Sequence, residues 1–393
     1  MTLKFFYYAY WHDRRFKNLA GGPIKVYELT DNLVKLGHDV TLFIPDIGSP
    51  QVQTSAKVVA LPFIDVHILR FISFQFLSFL YSLRLILKSG RPDTIYVRIM
   101  WSFMPMLIGK LFSIPVILEV NDSPTIAYSN VKSTIKRAIA HLSDKISYRL
   151  SDHILPVTEK IAENLYLRER VPWSSMTVMP SGTNTDVFQP MDRNECAVKL
   201  NLPADKKYIG FVGTFFSHQG IDILIESAPF IIQEYPDVRF LLVGDGPMKT
   251  EWEKMIHKKG LVDYFIMTGN VPYADVPFYC GVMDICVAPF LRGTDERSPV
   301  KIFDYLACGK PVIVSETGET SGFFKESGAV ITFPAEDHVS LYRAARYLLE
   351  NEPLRNEMGA RGREFISSKY SRKKITETVE EIALHLYEKY RTR

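Results

Sequence analysis

Short, almost wholly apolar runs recur along the entire chain, and they leave little choice of fold. Seven fall in the first half: LKFFYYA, DVTLFIP, KVVALP, DTIYVR, PVILEV, HILPVT and TVMPS. Six more follow residue 200: KYIGFVG, VRFLLVG, YFIMTG, DICVAP, PVIVS and AVITF. A run without polar alternation is a strand buried on both faces, which means a parallel strand covered by helices above and below. The intervening segments carry helical periodicity, as over 24–36, where Val26, Leu29, Leu33 and Leu36 form one stripe. Thirteen strands are too many for one small open sheet, so the fold class expected is α/β with two doubly wound, Rossmann-like domains. A length of 393 residues agrees, since domains of roughly 150–200 residues are the usual size.

After the run TVMPS the chain turns polar and is punctuated by Pro180, Gly182 and Pro190, before a fresh strand near Tyr208. The linker is therefore placed near 187–205, giving domains at 1–188 and 189–370. Residues 371–393 form a separate terminal helix, with Ile375, Val379, Ile382 and Leu386 on one face.

Composition narrows the class further. The chain is 47% hydrophobic and 23% charged, which excludes wholesale disorder. A net charge of +3 gives no ground for a nucleic-acid partner. The four cysteines form no CxxC pair and no zinc spacing, so reduced, buried thiols in a cytoplasmic protein are expected. The N-terminal MTLKFFYYAYWHDRR is apolar first and basic afterwards. That order is wrong for a secretory signal and suits an opening strand. The segment 68–87 is interrupted by Arg70, Gln75 and Arg84, which reads as an inward helix at a domain face rather than a membrane span.

Glycines mark the candidate chemistry. Gly21-Gly22-Pro23 opens the helix 24–36, either as a plain tight turn or as a close approach of backbone N–H groups to an anion. Phe211-Val212-Gly213-Thr214, Val243-Gly244-Asp245-Gly246 and Thr268-Gly269-Asn270 each end a strand, where open α/β sheets bind ligands. In the stretch Glu296 to Ile313, Ser298 suits a helix cap and Pro299 a first helical position. Lys301 then falls in the first turn, where a cation opposes the helix dipole unless an anion binds. Asp304 lies three residues on. The bland alternative is a capped helix with a Lys301–Asp304 surface pair. There is no GxGxxG after the first strand, and no GxxxxGK[ST], HExxH, GxSxG or Asp-x-Asp motif. No metal site and no metal requirement are expected.

Taken in order, these pieces resemble the family-four glycosyltransferases, retaining and nucleotide-sugar-dependent enzymes of the two-domain GT-B architecture. The matching segments are Gly21-Gly22 with Leu36-Gly37-His38, Met179 to Pro190, Gly213 to Gly220, Gly244 to Pro247, Gly269 to Pro272 and Glu296 to Pro311. The resemblance implies two domains facing a cleft, a terminal helix crossing back to the first domain, and closure that excludes water. It implies transfer of a sugar from a nucleotide diphosphate sugar to a glycan or lipid-linked acceptor, in cell-envelope or polysaccharide biosynthesis. Glu296 and Asp304 match the family's Glu-x7-Glu pair, the first near the transferred sugar and the second on the donor ribose. Glu296 and Lys301 are the catalytic candidates. Gly21, Gly22, Gly213, Thr214, Gln219, Gly244, Ser298, Val300, Ile302 and Asp304 are the donor-binding candidates, with Arg292 as an additional cation. Retention by a front-face route is implied, and the sequence does not separate it from double displacement.

The chain departs from the family in three places. Thr214 and Gln219 stand where many members carry Arg and Lys, and a His common after the strand 115–120 is absent from Glu119-Val-Asn121-Asp122. Asn121 and Asp122 are the acceptor-side candidates. Two other readings share the architecture: a nucleotide-sugar epimerase and a catalytically silent sugar-nucleotide-binding protein. Finally, Lys132, Lys136, Arg137, Lys145 and Arg149 share a helical segment with Ile135, Ile139, Leu142 and Ile146. That segment is either a solvated face or a contact with an anionic membrane surface.

Overall fold

Twelve of the thirteen apolar runs are strands, arranged as two six-stranded parallel sheets. The computed structural model describes residues 1–10, 21–46, 54–64, 66–98, 103–122, 134–293 and 298–392. The thirteenth run, TVMPS, is not a sheet strand. Thr177 and Met179 donate backbone bonds to Ile154 and Pro156, and the segment leaves at Pro180 before it can add a ladder.

One unit comprises Met1–Pro180 and Arg372–Arg393. Its strands are β1 (Lys4–Ala9), β2 (Asp39–Pro45), β3 (Lys57–Leu61), β4 (Thr94–Arg98), β5 (Val116–Val120) and β6 (His153–Pro156), in the order β3-β2-β1-β4-β5-β6. Its helices are α1 (Gly21–Lys35), α2 (His67–Ser89), α3 (Met104–Leu111), α4 (Thr134–Leu150) and α5 (Glu159–Glu169). The apolar run of β1 is explained by burial on both sides. Phe6 and Tyr8 pack with residues of α2, α3 and α4, while Phe5 and Tyr7 pack with Val26, Leu29 and Leu33 of α1.

The other unit, Ser181–Ser371, contains β7 (Lys207–Val212), β8 (Val238–Val243), β9 (Phe265–Met267), β10 (Ile285–Ala288), β11 (Val312–Glu316) and β12 (Val330–Pro334), ordered β12-β11-β10-β7-β8-β9. Its helices are α6 (Arg193–Leu200), α7 (Ile221–Glu234), α8 (Lys249–Lys258), α9 (Val276–Val282), α10 (Val300–Ala307), α11 (Glu319–Lys325), α12 (His338–Glu350) and α13 (Glu352–Phe365). In both sheets the strand order reverses once, between β1 and β4 and between β7 and β10. Such reversals leave a crevice at the carboxyl ends of the strands.

The unit boundary falls after Pro180, earlier than the 188/189 expected from composition. Thr183 N–H bonds Tyr370 O, Arg363 donates to the carbonyls of Thr185 and Phe188, and Phe188 is fully buried in the second core. The expected linker at 187–205 instead holds α6, capped by Asp192 accepting from Glu195 N–H at 2.9 Å. The terminal helix α14 (Arg372–Arg391) belongs to the first unit. Ile375, Val379, Ala383 and Leu386 are buried there beside α1, each large side chain contributing about 1.5–3 kcal/mol. An ion pair, Arg372–Glu28 at 3.1 Å, and a hydrogen bond between His38 Nε2 and Glu380 at 2.9 Å fix its register. All four cysteines are buried free thiols.

The segment 68–87 does lie in a helix at a domain face, and Phe74 and Ile86 point inward as expected, but much of its apolar surface does not. Gln75, Ser78 and Ser82 are buried while Leu69, Ile72, Phe76 and Leu80 are exposed. Mean hydropathy along a helix does not say which face meets the core. Among the described residues no helix is long and apolar enough to cross a membrane.

Candidate functional site

In the second unit the site grows from the ends of β7 and β10. Beyond Val212 the chain turns through Gly213 at φ +145°, a conformation that side-chain-bearing residues rarely adopt. A Cβ at this position would also lie 2.7 Å from Lys301 Nζ. Gly244, at the end of β8, has φ +137° and backs directly onto Gly213 O, where a Cβ would stand 2.0 Å away. Helix α10 is pinned to the tip of β7 by Tyr305, whose hydroxyl accepts from Val212 N–H at 2.6 Å. One turn earlier, Lys301 extends past Gly213 and donates to Gln219 Oε1 at 2.5 Å. Its ammonium sits 3.8 Å from the centre of the Phe211 ring and 5.6 Å from that of Phe290. Burial pushes Lys301 well below the ordinary lysine range, an effect that Asp304 only partly offsets.

The start of α10 differs from the expected cap. Pro299 takes the N-cap position and no side chain caps the helix. The Ser298 hydroxyl instead accepts Ser181 N–H at 2.9 Å. Entry of the chain into this unit thus competes for Ser298, leaving the first-turn amides of Val300 and Lys301 without a side-chain acceptor from the cap. Ile302 N–H bonds Pro299 O at 3.1 Å. Asp304 Oδ1 accepts from Thr183 Oγ1 at 2.5 Å. The bland surface pair is therefore not what forms: the ammonium goes to Gln219 and the carboxylate receives Thr183.

Gly213, Gln219 and Lys301 are thus in contact, with Gly244 behind them and Ser298, Val300, Ile302 and Asp304 on or beside one helix. Thr214 belongs to the turn that follows, its carbonyl accepting Phe216 N–H at 2.9 Å. Arg292 does not join the group as expected. Its side chain is 75% exposed and pairs with Glu336 at 3.5 Å, an outward direction set by the turn at 292–293. Glu296 lies outside the described residues.

The first unit carries a charged cluster at its own strand-order reversal. Gly21 and Gly22 are the first residues of α1. One turn on, Lys25 Nζ reaches Glu119 Oε1 at 2.8 Å, and Arg98 Nε reaches the same oxygen at 3.0 Å. Tyr96 hydroxyl donates to Glu119 Oε2 at 2.5 Å. Arg98 also donates to Asn121 Oδ1 at 3.4 Å, so an acceptor-side candidate is tied to the cluster, with Asp122 next in the chain. Burial would raise Glu119, but Lys25 and Arg98 outweigh it and hold the carboxyl down to about 2. Burial lowers Lys25 to about 8 despite the pull of Glu119.

Comparison with known proteins settles what these two units are. Residues 21–187 match Glycosyltransferase Family 4, and residues 192–365 match Glycosyl transferases group 1. The chain belongs to the family-four glycosyltransferases. Among its relatives is the alpha-D-kanosaminyltransferase of Streptomyces kanamyceticus, 20% identical over 279 residues that cover 69% of this chain and 70% of the relative. The fold is shared with sucrose-phosphate synthase from Thermosynechococcus elongatus, with a TM-score of 0.78, 19% identity and coverage of 98% and 99%. It is also shared with Anabaena HepE in complex with UDP-glucose, with a TM-score of 0.72, 13% identity and coverage of 97% and 99%.

Sequence reasoning reached the α10 side of this glycosyltransferase because glycines and a helix start are local signals. It missed Lys25 and Arg98, and met Glu119 only as the place of an absent His. A signal did exist: the runs TIYVR and VILEV each bring a charge into an otherwise apolar strand. A charge inside a two-sided strand must be paired.

Proposed function

We propose that this glycosyltransferase moves a sugar from a nucleotide diphosphate sugar held by the 181–371 unit to a glycan or lipid-linked acceptor served by the 1–180 unit, with retention and without a metal. The observation that carries the reading is Lys301. Lys301 is buried beside first-turn amides that no described side chain caps, and a bound diphosphate would offset the cost of burying its ammonium. UDP-glucose bound in HepE supports a donor of this class. The missing Lys at 219 also fits. Gln219 accepts from Lys301, where a second cation would repel it.

As the glycosidic bond to the donor breaks, negative charge grows on the leaving diphosphate. Lys301 Nζ and the Val300 and Lys301 amides would meet that charge without reorganising. Asp304 would accept from the donor ribose, held by its bond from Thr183. Glu296 would lie near the transferred sugar, and the leaving phosphate would take the acceptor proton on the front face. The test is nucleotide release from a panel of sugar donors, with and without added acceptors. Release that depends on an acceptor and survives a chelator supports transfer. Interconversion of the donor sugar without acceptor would overturn it.

A further inference from the structure

Gln219 stands where many family members carry a lysine, and it offers Lys301 what a lysine cannot, a hydrogen-bond acceptor. The Lys301 ammonium only donates, so the Gln219 atom that meets it at 2.5 Å is the carbonyl oxygen Oε1. The amide nitrogen then faces His218 Nε2 at 2.9 Å. An amide NH2 also only donates, which makes Nε2 the acceptor and places the ring hydrogen on Nδ1. His218 is itself held in place. Its ring stacks on Phe216, with centroids 5.6 Å and planes 16° apart, and its carbonyl accepts Leu291 N–H at 3.1 Å. Gly220 closes the turn at φ +66°, where a Cβ would stand 1.9 Å from Pro289 O. Gln219 is buried, and turning its amide over would set NH2 against the ammonium. One orientation satisfies both neighbours.

Gln219 Oε1 thus takes the place on Lys301 that a diphosphate oxygen takes when the donor is bound. A buried ammonium without an acceptor is costly, so each departing nucleotide diphosphate would strand Lys301 unless another oxygen replaced it. Gln219 supplies that oxygen, and binding and release become exchanges of one acceptor for another. We infer, on the reading that Lys301 meets the donor diphosphate, that His218 is a positioning residue: it holds the Gln219 amide as a stand-in for the diphosphate, which weakens nucleotide diphosphate binding and speeds product release. The consequence carries a sign that ordinary damage to a site does not. Removing the stand-in destabilises the free protein alone, so nucleotide binding tightens.

The test is titration calorimetry of the full chain at neutral pH with UDP, GDP, ADP and inorganic pyrophosphate. Gln219→Met keeps the length of the side chain without its carbonyl, and binds whichever of these wild type binds about tenfold more tightly. His218→Phe keeps a ring stacked on Phe216 without the acceptor nitrogen, and tightens binding at least about threefold. His218→Gln returns an acceptor at a similar reach and restores wild-type affinity. Stopped-flow displacement of a fluorescently labelled form of the same nucleotide reads the tightening as slower dissociation. If His218→Phe fails to fold, as judged by circular dichroism, His218→Leu removes the same acceptor. Unchanged or weaker binding by the folded variants overturns the inference, as does tightening by Gln219→Met with no change in the folded His218 variant. Equal tightening by His218→Gln and His218→Phe would assign the effect to the ring rather than its nitrogen and overturn it too. Lys301→Met separates these failures from failure of the donor reading, since it weakens diphosphate binding whatever Gln219 does. Unchanged affinity in Lys301→Met, or no binding of any of the four ligands by wild type, overturns that reading and the inference with it.

Discussion

Lys301→Met removes one charge while keeping an unbranched apolar stem beside Phe211. In the free protein the ammonium donates to Gln219, and burial depresses its pKa. A diphosphate oxygen in place of Gln219 raises that pKa again, so donor binding takes up a proton between the free and bound values. Across that window donor affinity falls up to tenfold for each unit of rising pH, about 1.36 kcal/mol per unit. The substitution should cost about 1.5–3 kcal/mol of donor binding, one charge-assisted hydrogen bond. It should cost more in turnover, about 100- to 1000-fold in kcat, because phosphate charge grows toward the transition state. Titration calorimetry in two buffers of different ionisation enthalpy reads the proton directly, and Lys301→Met should abolish its uptake. Absence of uptake in wild type, with near-normal kcat in the variant at saturating substrates, would refute the reasoning.

The other predictions concern neighbouring residues. Asp304→Asn should keep the fold and weaken donor binding by about 1.5–3 kcal/mol, read by calorimetry; unchanged affinity would remove Asp304 from the site. Gly213→Ala places a Cβ 2.7 Å from Lys301 Nζ at a left-handed φ, so it should lower stability by about 1–3 kcal/mol and displace the ammonium, seen as lost donor binding. Glu119→Gln removes the carboxylate that Lys25 and Arg98 share and should cost about 3–5 kcal/mol in urea unfolding at neutral pH. The sign of its pH dependence follows from a carboxyl held at about 2 against an ordinary 4.5. Stability from Glu119 is complete above 4.5 and lost as pH falls toward 2, so wild type and variant should converge in acid. A chelator should leave transfer intact, and loss restored by added magnesium or manganese would contradict the metal-free reading.

The alternation of strand and helix was legible because two-sided burial writes itself as uninterrupted apolar runs. It misled at TVMPS, where extended chain beside β6 has the same local composition as a strand. It also misled at 187–205, where turn residues flank a helix instead of a linker. The glycine turn at Gly213 and the first turn of α10 were legible for the same local reasons. Ser298 was not, since its competing partner, Ser181, is 117 residues away. The pairing of Lys25 with Glu119 spans 94 residues, and no local pattern encodes it. The outward stripe of α2 escaped notice because periodicity gives a helix two faces without saying which one the sheet takes.

The central claim, that Lys301 and the start of α10 hold the donor diphosphate, is tested most directly by a crystal structure of the enzyme with an intact nucleotide sugar. The account predicts a diphosphate oxygen about 2.7–2.9 Å from Lys301 Nζ, with the Gln219 contact broken and the Val300 and Lys301 amides donating to the same group. A diphosphate bound elsewhere, with Lys301 still on Gln219, would contradict it.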